Sequence, residues 1–426
     1  MDWIKIKKDI FLAFSSHFFY KVIGYFTLMI LTRYLTKDEM GEFFFASALA
    51  TFFTLFTELG MNTHLLREIA KTPENASNYF SEVVSIRIPL FTIYFILLNG
   101  FAFVFKPKLI LIIFLTSIYV FFEELYQSFG AAFLGLKKVK YNVISGVTTK
   151  LLLIALILVV VLFKGGLTTI LIGFILANTF LVGIAYIIFS RKIDSPKFIW
   201  SRDSALRIFR ISFPLFLLSV LGIIHFKVDT LMLGFMKSYN VVATYEAAYK
   251  LLEASRFIIL PIGMVFLPLI SEMATNQKWS DIHLMSKKIL FVTGAIGVGI
   301  AIVVVTGAGI IIPMVFGGKY NDSIVILRIL FLSVPMLYMA AVSSFFVRSI
   351  HLERRAVKIM LTCVIINIIL NIFFIQIWGA IGAACTTVIT ETILAVLLII
   401  LNFQELQARC SKETVNKLEN TLDHVR

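Results

Sequence analysis

The stretch "YEAAYKLLEASRFIILPIGMVFLPLI", residues 245–270, decides the class of this chain. From Phe257 onward it has the length and apolarity of a bilayer-crossing helix. Yet Glu246, Lys250, Glu253 and Arg256 run into that helix from its start. An ionised side chain at the centre of a membrane helix costs about 2.5–3.5 kcal/mol on the insertion scale. The four charges therefore sit outside the lipid, neutralise one another, or line a polar path. Glu246 can pair with Lys250 at i,i+4, and Glu253 with Arg256 at i,i+3. That local account serves Glu246, nearest water, better than Glu253 and Arg256, which lie deeper. Arg256 is the one that most needs a partner.

The rest of the chain supports a membrane setting. Of its 426 residues 59% are hydrophobic and only 15% charged, with a mean hydropathy of +0.93. A soluble domain is nearer half apolar and a quarter charged. Apolar runs recur from residue 10 to residue 402, leaving no block for a separate catalytic domain. The N-terminal "MDWIKIKKDIFLAF" is basic and then apolar, but it continues without a small-residue cleavage site and reads as a retained first helix. Cys363, Cys385 and Cys410 form no spacing motif, which predicts neither a disulfide nor a metal site.

A span of the hydrocarbon core takes roughly 20 helical residues, and on that ruler the chain holds about twelve spans. They lie near 10–32, 42–60, 82–105, 109–133, 142–163, 166–189, 211–235, 243–270, 288–316, 322–347, 356–377 and 379–402. With the N-terminus in the cytoplasm, about 25 cations fall on the inner face and about eight on the outer. That bias fixes the orientation and places both termini inside. It also accounts for the formal net charge of +14 without nucleic acid.

The basic segment "SRKIDSPKFIWSRDSALRIFR" divides the spans into two sets of six. The expected organisation is an N-terminal lobe over 1–190, a cytoplasmic linker with an amphipathic helix over 191–210, a C-terminal lobe over 211–402 and a tail over 403–426. Weak similarity crosses the divide. "GLKKVKYNV" before the fifth span matches "HLERRAVKI" before the eleventh in position, and "KGGLTTILI" matches "WGAIGAACTTVI". Six being even, the halves run in the same direction, as parallel repeats. Pro214, Pro261, Pro268, Pro313 and Pro335 fall in C-terminal spans, as ordinary irregularities or as hinges.

Charges inside spans are the functional candidates. Lys21 shares a helix face with His17 and Gly24. Arg87, Glu124 and Lys150 follow in the N-terminal half, and Asp229 and Glu391 in the C-terminal half. Each has a plain alternative. Arg87 could snorkel from the cytoplasmic end of its helix, Arg33 and Glu58 lie near helix ends, and any deep pair can be structural. Together they suit a polar cavity, and the cations of the N-terminal half suit an anionic group such as a phosphate. The chain has no P-loop, G-x-S-x-G, H-E-x-x-H or Cys/His cluster, so no catalytic residue, cofactor or metal is expected.

Four segments together resemble the polysaccharide and O-antigen flippases of the superfamily that also holds multidrug exporters. "LTRYLTKDEMGEFFFA" is similar to their Arg-x-Leu…Gly-x-aromatic segment on Arg33, Leu35, Gly41 and Phe43. "FTELGMNTHLLREIA" is similar on Glu58, Gly60, Arg67 and Glu68, and "DTLMLGFMKSYNVVATYEAAYKL" on Asp229, Leu233, Gly234, Tyr245, Ala248 and Lys250. "GAIGAACTTVITE" resembles the signature of the last helix. Ala243 stands where the family often has glycine.

The resemblance implies two six-helix lobes in a V and a bacterial cytoplasmic-membrane protein that is no enzyme. It also implies an undecaprenyl-pyrophosphate-linked oligosaccharide as substrate, alternating access coupled to H⁺ or Na⁺, and polysaccharide polymerase or chain-length proteins as partners. On that basis Lys21, Arg33, Arg87, Lys150, Lys250 and Arg256 are candidates for substrate contact, and Glu124, Asp229 and Glu391 for ion coupling. Two rivals stand beside it. A multidrug or cation exporter would favour an acidic, aromatic cavity. A polysaccharide polymerase or ligase would carry a long outer loop, whereas every outer loop here is expected to be short.

Overall fold

The computed structural model of the chain describes residues 21–425. Side chains are described there except at 202, 204, 211–215, 217–219, 260, 264, 412 and 414–425. His17 and the first three lysines lie outside the described residues. Among the described residues all regular structure is helical.

The chain forms two compact units. The first takes it to Gly234 together with Ser238–Ala243, and the second takes Phe235–Lys237 and Thr244 onward. The first is built from α1 (21–34), α2 (Lys37–Phe53), the short α3 (Leu55–Glu58), α4 (Met61–Lys71), α5 (Ala76–Phe105), α6 (Ile110–Gly135), α7 (Val139–Leu162), α8 (Leu167–Lys192) and α9 (Arg202–Met236). The second follows with α10 (Tyr239–Ser255), α11 (Leu260–Thr275), α12 (Trp279–Phe316), α13 (Ser323–Phe331), α14 (Val334–Ser349), α15 (Glu353–Trp378) and α16 (Ala380–Val425).

Nine helical segments among the described residues are long and apolar enough to cross a membrane. They become ten when α13 and α14, bent by 45° at their junction, count as one span. These coincide with the second to sixth and the eighth to twelfth expected spans. The seventh falls within α9, and the first is described from Lys21 on. Helices apolar on all sides need an apolar solvent. Side chains such as Phe103, Phe163, Phe291 and Ile310 are accordingly exposed on them, and the chain is a multi-pass membrane protein.

In the first unit α6 is the central helix, packing on α2, α4, α5, α7 and α8. Phe80 of α5, Phe129 of α6 and Phe189 of α8 fill one end of this bundle, with ring centroids 4.6 and 4.5 Å from Phe80. The α2 start is a capping box, with Thr36 Oγ1 accepting from Glu39 N–H while Glu39 accepts from Thr36 N–H at 2.9 Å. The α3 end turns sharply through left-handed backbone at Leu59 and at Gly60, where φ is 75°. Glu58 Oε2 accepts the Gly60 N–H at 3.0 Å, so this turn sets down α4 at the edge of the bundle.

Between α8 and α9 the backbone is extended. Lys197 N–H donates to Ser81 Oγ at 3.0 Å and Ile199 N–H to Ser85 Oγ at 2.9 Å, so two buried serines one turn apart anchor the connection to α5. The second half of the basic segment forms the first turns of α9, which runs on unbroken to Met236.

The second unit centres on α14 and α16. Its opening stretch is not one helix. The α10 end is at Ser255, a 3₁₀ turn covers Arg256–Ile258, and α11 begins at Leu260 with Pro261 in its first turn. Proline has no N–H to give and its ring crowds the carbonyl four residues before it, so it kinks or breaks a helix laid down before it. A carbonyl released by such a break must find a donor inside the protein. Tyr338 Oη of α14 donates to the Ser255 carbonyl at 2.7 Å. Pro268 and Pro313 lie inside α11 and α12, and Pro335 opens α14 after the bend. At the α15–α16 turn a Cβ on Gly382 would overlap the carbonyl of Phe374, which requires a residue without one.

Candidate functional site

The first unit holds a half-open cavity of about 460 Å³. Lys21 of α1, Asn62 of α4, Glu123, Tyr126 and Gln127 of α6, and Asn142 of α7 supply its polar lining. Four helices bring these groups together because α6 lies at the centre and the turn at Leu59–Gly60 lays α4 against it.

Arg87 of α5 forms the support behind the cavity. Its Nη1 donates to Asn62 Oδ1 at 3.1 Å, to Ser128 Oγ at 2.7 Å and to the Glu124 carbonyl at 3.2 Å. Its Nη2 donates to Glu124 Oε2 at 3.0 Å, and the guanidinium stands 5.1 Å from the Phe91 ring centre. The expectation that Arg87 could snorkel to the surface is corrected here. The α5 helix starts at Ala76, several residues earlier than the apolar run suggests, so Arg87 is well inside it and its side chain is 0% exposed. Carboxylate, hydroxyl, amide and carbonyl oxygens accept from its two Nη groups, which offsets the cost of burying the cation, while Nε has no partner among the described residues.

The other candidates of the first unit are dispersed. Lys150 is half-buried on α7, with Glu123 as the carboxylate acting on it. Arg33, near the α1 end, is exposed and does not line the cavity. Asp229 is buried on α9. Outside the spans, burial on α4 pushes the His64 imidazole below its ordinary pKa, only partly opposed by Glu68.

In the second unit Arg256 Nη2 donates to Glu391 Oε1 at 3.1 Å, with Glu391 buried on α16. Lys250 Nζ donates to Glu253 Oε2 at 2.7 Å. Arg256 thus has a partner 135 residues away in sequence, on α16. Close by in sequence to Glu391 runs a buried polar ladder. Asn371 donates to Asn367 Oδ1 at 2.9 Å and Asn367 to Thr390 Oγ1 at 3.3 Å, while Tyr245 Oη and Thr387 Oγ1 are 3.1 Å apart.

Charge alone singles out Arg87, Glu124, Arg256 and Glu391, but not that they pair two by two. It misses Asn62, Tyr126, Gln127, Asn142, Asn367 and Asn371, because amides and phenols do not stand out in an apolar run as charges do. "YQS" at 126–128 and "NIILN" at 367–371 are the available signals.

The fold defines a class, the multi-pass helical membrane proteins, and solved transporters share its architecture. The chain aligns over 95% of its length with 92% of the lipid II flippase MurJ in an inward closed conformation, at a TM-score of 0.70 and 18% identity. It also aligns over 94% of its length with 95% of an inward-facing multidrug resistance MATE family transporter of the MOP superfamily, at 0.69 and 14%. The sequence goes further, because residues 6–274 match the family described as polysaccharide biosynthesis protein, and the chain belongs to that family. A relative from Escherichia coli K12, named as an O-antigen transporter, is 23% identical over 386 residues, which is 88% of this chain and 91% of the relative.

Proposed function

We propose that the protein is a flippase that carries a lipid-linked oligosaccharide across the bacterial cytoplasmic membrane for surface polysaccharide assembly. The observation that carries this is the polar cavity of about 460 Å³ inside a bundle of membrane-spanning helices, in a chain of the polysaccharide biosynthesis family. A sugar headgroup needs polar partners of this kind within the hydrocarbon layer. The name of the Escherichia coli relative agrees with that cargo.

Undecaprenyl pyrophosphate is the carrier in this proposal. Arg256 and Lys250, each half-buried and held by a carboxylate, are the groups that meet its phosphates. A phosphate arriving at Arg256 competes with Glu391 for the guanidinium. The released carboxylate, in a site of low dielectric, then favours a proton or Na⁺ as countercharge. Coupling to H⁺ or Na⁺ follows from that competition. Asp229 and Glu124 are the further acids proposed for it, and Arg87 positions Asn62 behind the cavity instead of touching cargo. Lys21 meets the cargo directly, Lys150 acts through Glu123, and Arg33 meets the headgroup only at the surface. Both termini face the cytoplasm.

The experiment is deletion of the gene followed by extraction of lipid-linked intermediates. The proposal expects loss of the surface polymer and accumulation of repeat units on the cytoplasmic leaflet. Normal surface polymer without accumulation contradicts it.

A further inference from the structure

Transport by itself does not say which part of a lipid-linked sugar the first-unit cavity receives. Its hydrogen-bonding inventory does. An arginine has only protons to offer, so the Asn62 atom that meets Arg87 Nη1 at 3.1 Å is the amide oxygen. Ser128 Oγ, 3.0 Å away, donates to that same oxygen. The Asn62 NH₂ is therefore the end left for the cavity. At Asn142 the amide oxygen accepts the Tyr126 phenol at 2.6 Å, an O–H···O length. That again leaves the NH₂ for the cavity. Two amides on different helices are thus locked with their donors available, and Gln127 adds a third amide.

The charges of the lining oppose each other. Lys21 is its single cation among the described residues and Glu123 its single carboxylate. A phosphate or pyrophosphate site gathers several cations, arginine forks above all, and excludes carboxylates. A cavity with one charge of each sign and fixed neutral donors suits a neutral polyhydroxyl or acetamido group instead. Its 460 Å³ lies within the range of about 300–1,000 Å³ typical of small-molecule sites.

We infer that this cavity is a sugar subsite, taking a neutral hexose or 2-acetamido-hexose of the cargo, with Asn62 and Asn142 as the donors that select it. The inference rests on the proposed flippase function and assigns the sugar, rather than the phosphates, to the first unit. Arg87 is then a positioning residue whose work is to hold the Asn62 amide in one orientation.

The test uses the full chain in lipid nanodiscs and saturation-transfer NMR. The probes are the methyl glycosides of glucose, galactose, mannose, N-acetylglucosamine and N-acetylgalactosamine, with inorganic pyrophosphate as a separate probe. Asn142→Asp keeps the oxygen that Tyr126 needs and removes the donor; Asn62→Asp does the same toward Arg87 and Ser128. At least one glycoside is expected to bind the unaltered protein. Its binding is expected to weaken about tenfold in either variant, the scale of one hydrogen bond lost with a polar group left unpaired. Pyrophosphate binding is expected to stay unchanged in both. Absence of binding by every glycoside overturns the inference, and so does binding that both folded variants leave intact. A glycoside null together with repeat-unit accumulation in the deletion strain removes the sugar subsite alone, whereas normal export in that strain removes the flippase itself.

Discussion

Removing Glu124 leaves Arg87 charged, buried and without its carboxylate. Arginine cannot shed its proton in a protein, so Glu124→Leu carries the whole penalty of an uncompensated cation, about 3–5 kcal/mol. Arg87→Met is milder for two reasons. Glu124 can take up a proton, and Asn62 and Ser128 still bond each other at 3.0 Å. We expect it to cost about half as much. The double variant Arg87→Met/Glu124→Leu replaces the pair by apolar groups, and should cost less than the sum by about 2 kcal/mol or more. For a body of this size one kcal/mol moves the midpoint by about 2–4 °C, so Glu124→Leu should lower Tm by roughly 6–20 °C. With the partly exposed thiols removed by Cys385→Ser and Cys410→Ser, a thiol-reactive fluorophore reads the transition, because Cys363 is 0% exposed in the folded chain. Single variants that melt within about 1 °C of the unaltered protein, or a strictly additive double, refute the reasoning.

Four further outcomes follow from the same geometry. Glu391→Gln should abolish export in complementation while lowering Tm by only a few degrees, since an amide oxygen can still accept from Arg256; export at the normal level contradicts it. Tyr338→Phe strips the Ser255 carbonyl of its side-chain donor at the α10–α11 break and should cost about 1–2 kcal/mol in the same thermal assay. Gly382→Ala drives a methyl into the Phe374 carbonyl and should reduce the folded yield measured by size-exclusion chromatography more than Gly24→Ala, where nothing lies within 4 Å. Lys21→Gln should reduce export with Tm unchanged, because its side chain lines the cavity; unchanged export at normal protein levels removes Lys21 from the site.

Much of the fold is readable from hydropathy, because the solvent imposes it. A chain that must satisfy every backbone group in lipid has little choice but helices of bilayer length. What sequence leaves open is where a helix breaks and what a charge meets. Pro261 marks the α10–α11 interruption in retrospect, but a proline can equally sit in the first turn of a new helix or kink an old one, and Tyr338 decides which. Short-range rules offer Glu253 to Arg256, whereas the fold supplies Glu391. Long-range pairing depends on helix packing, which spacing along one helix does not encode. The cavity is the least readable part. Asn62 lies just past an unusual left-handed turn, and Asn142 near the start of an apolar helix. Neither is charged, and each acquires its direction from side chains on other helices, Arg87 and Ser128 for Asn62 and Tyr126 for Asn142.

The central claim is that this chain moves a lipid-linked sugar from one leaflet to the other. The direct measurement reconstitutes the purified protein in vesicles that hold a pyrophosphate-linked oligosaccharide lipid, and follows the share open to an external glycosidase. Vesicles with the protein should expose all of the lipid to cleavage, while protein-free vesicles and vesicles with the Glu391→Gln variant protect the inner half. Equal protection with and without the protein contradicts the account.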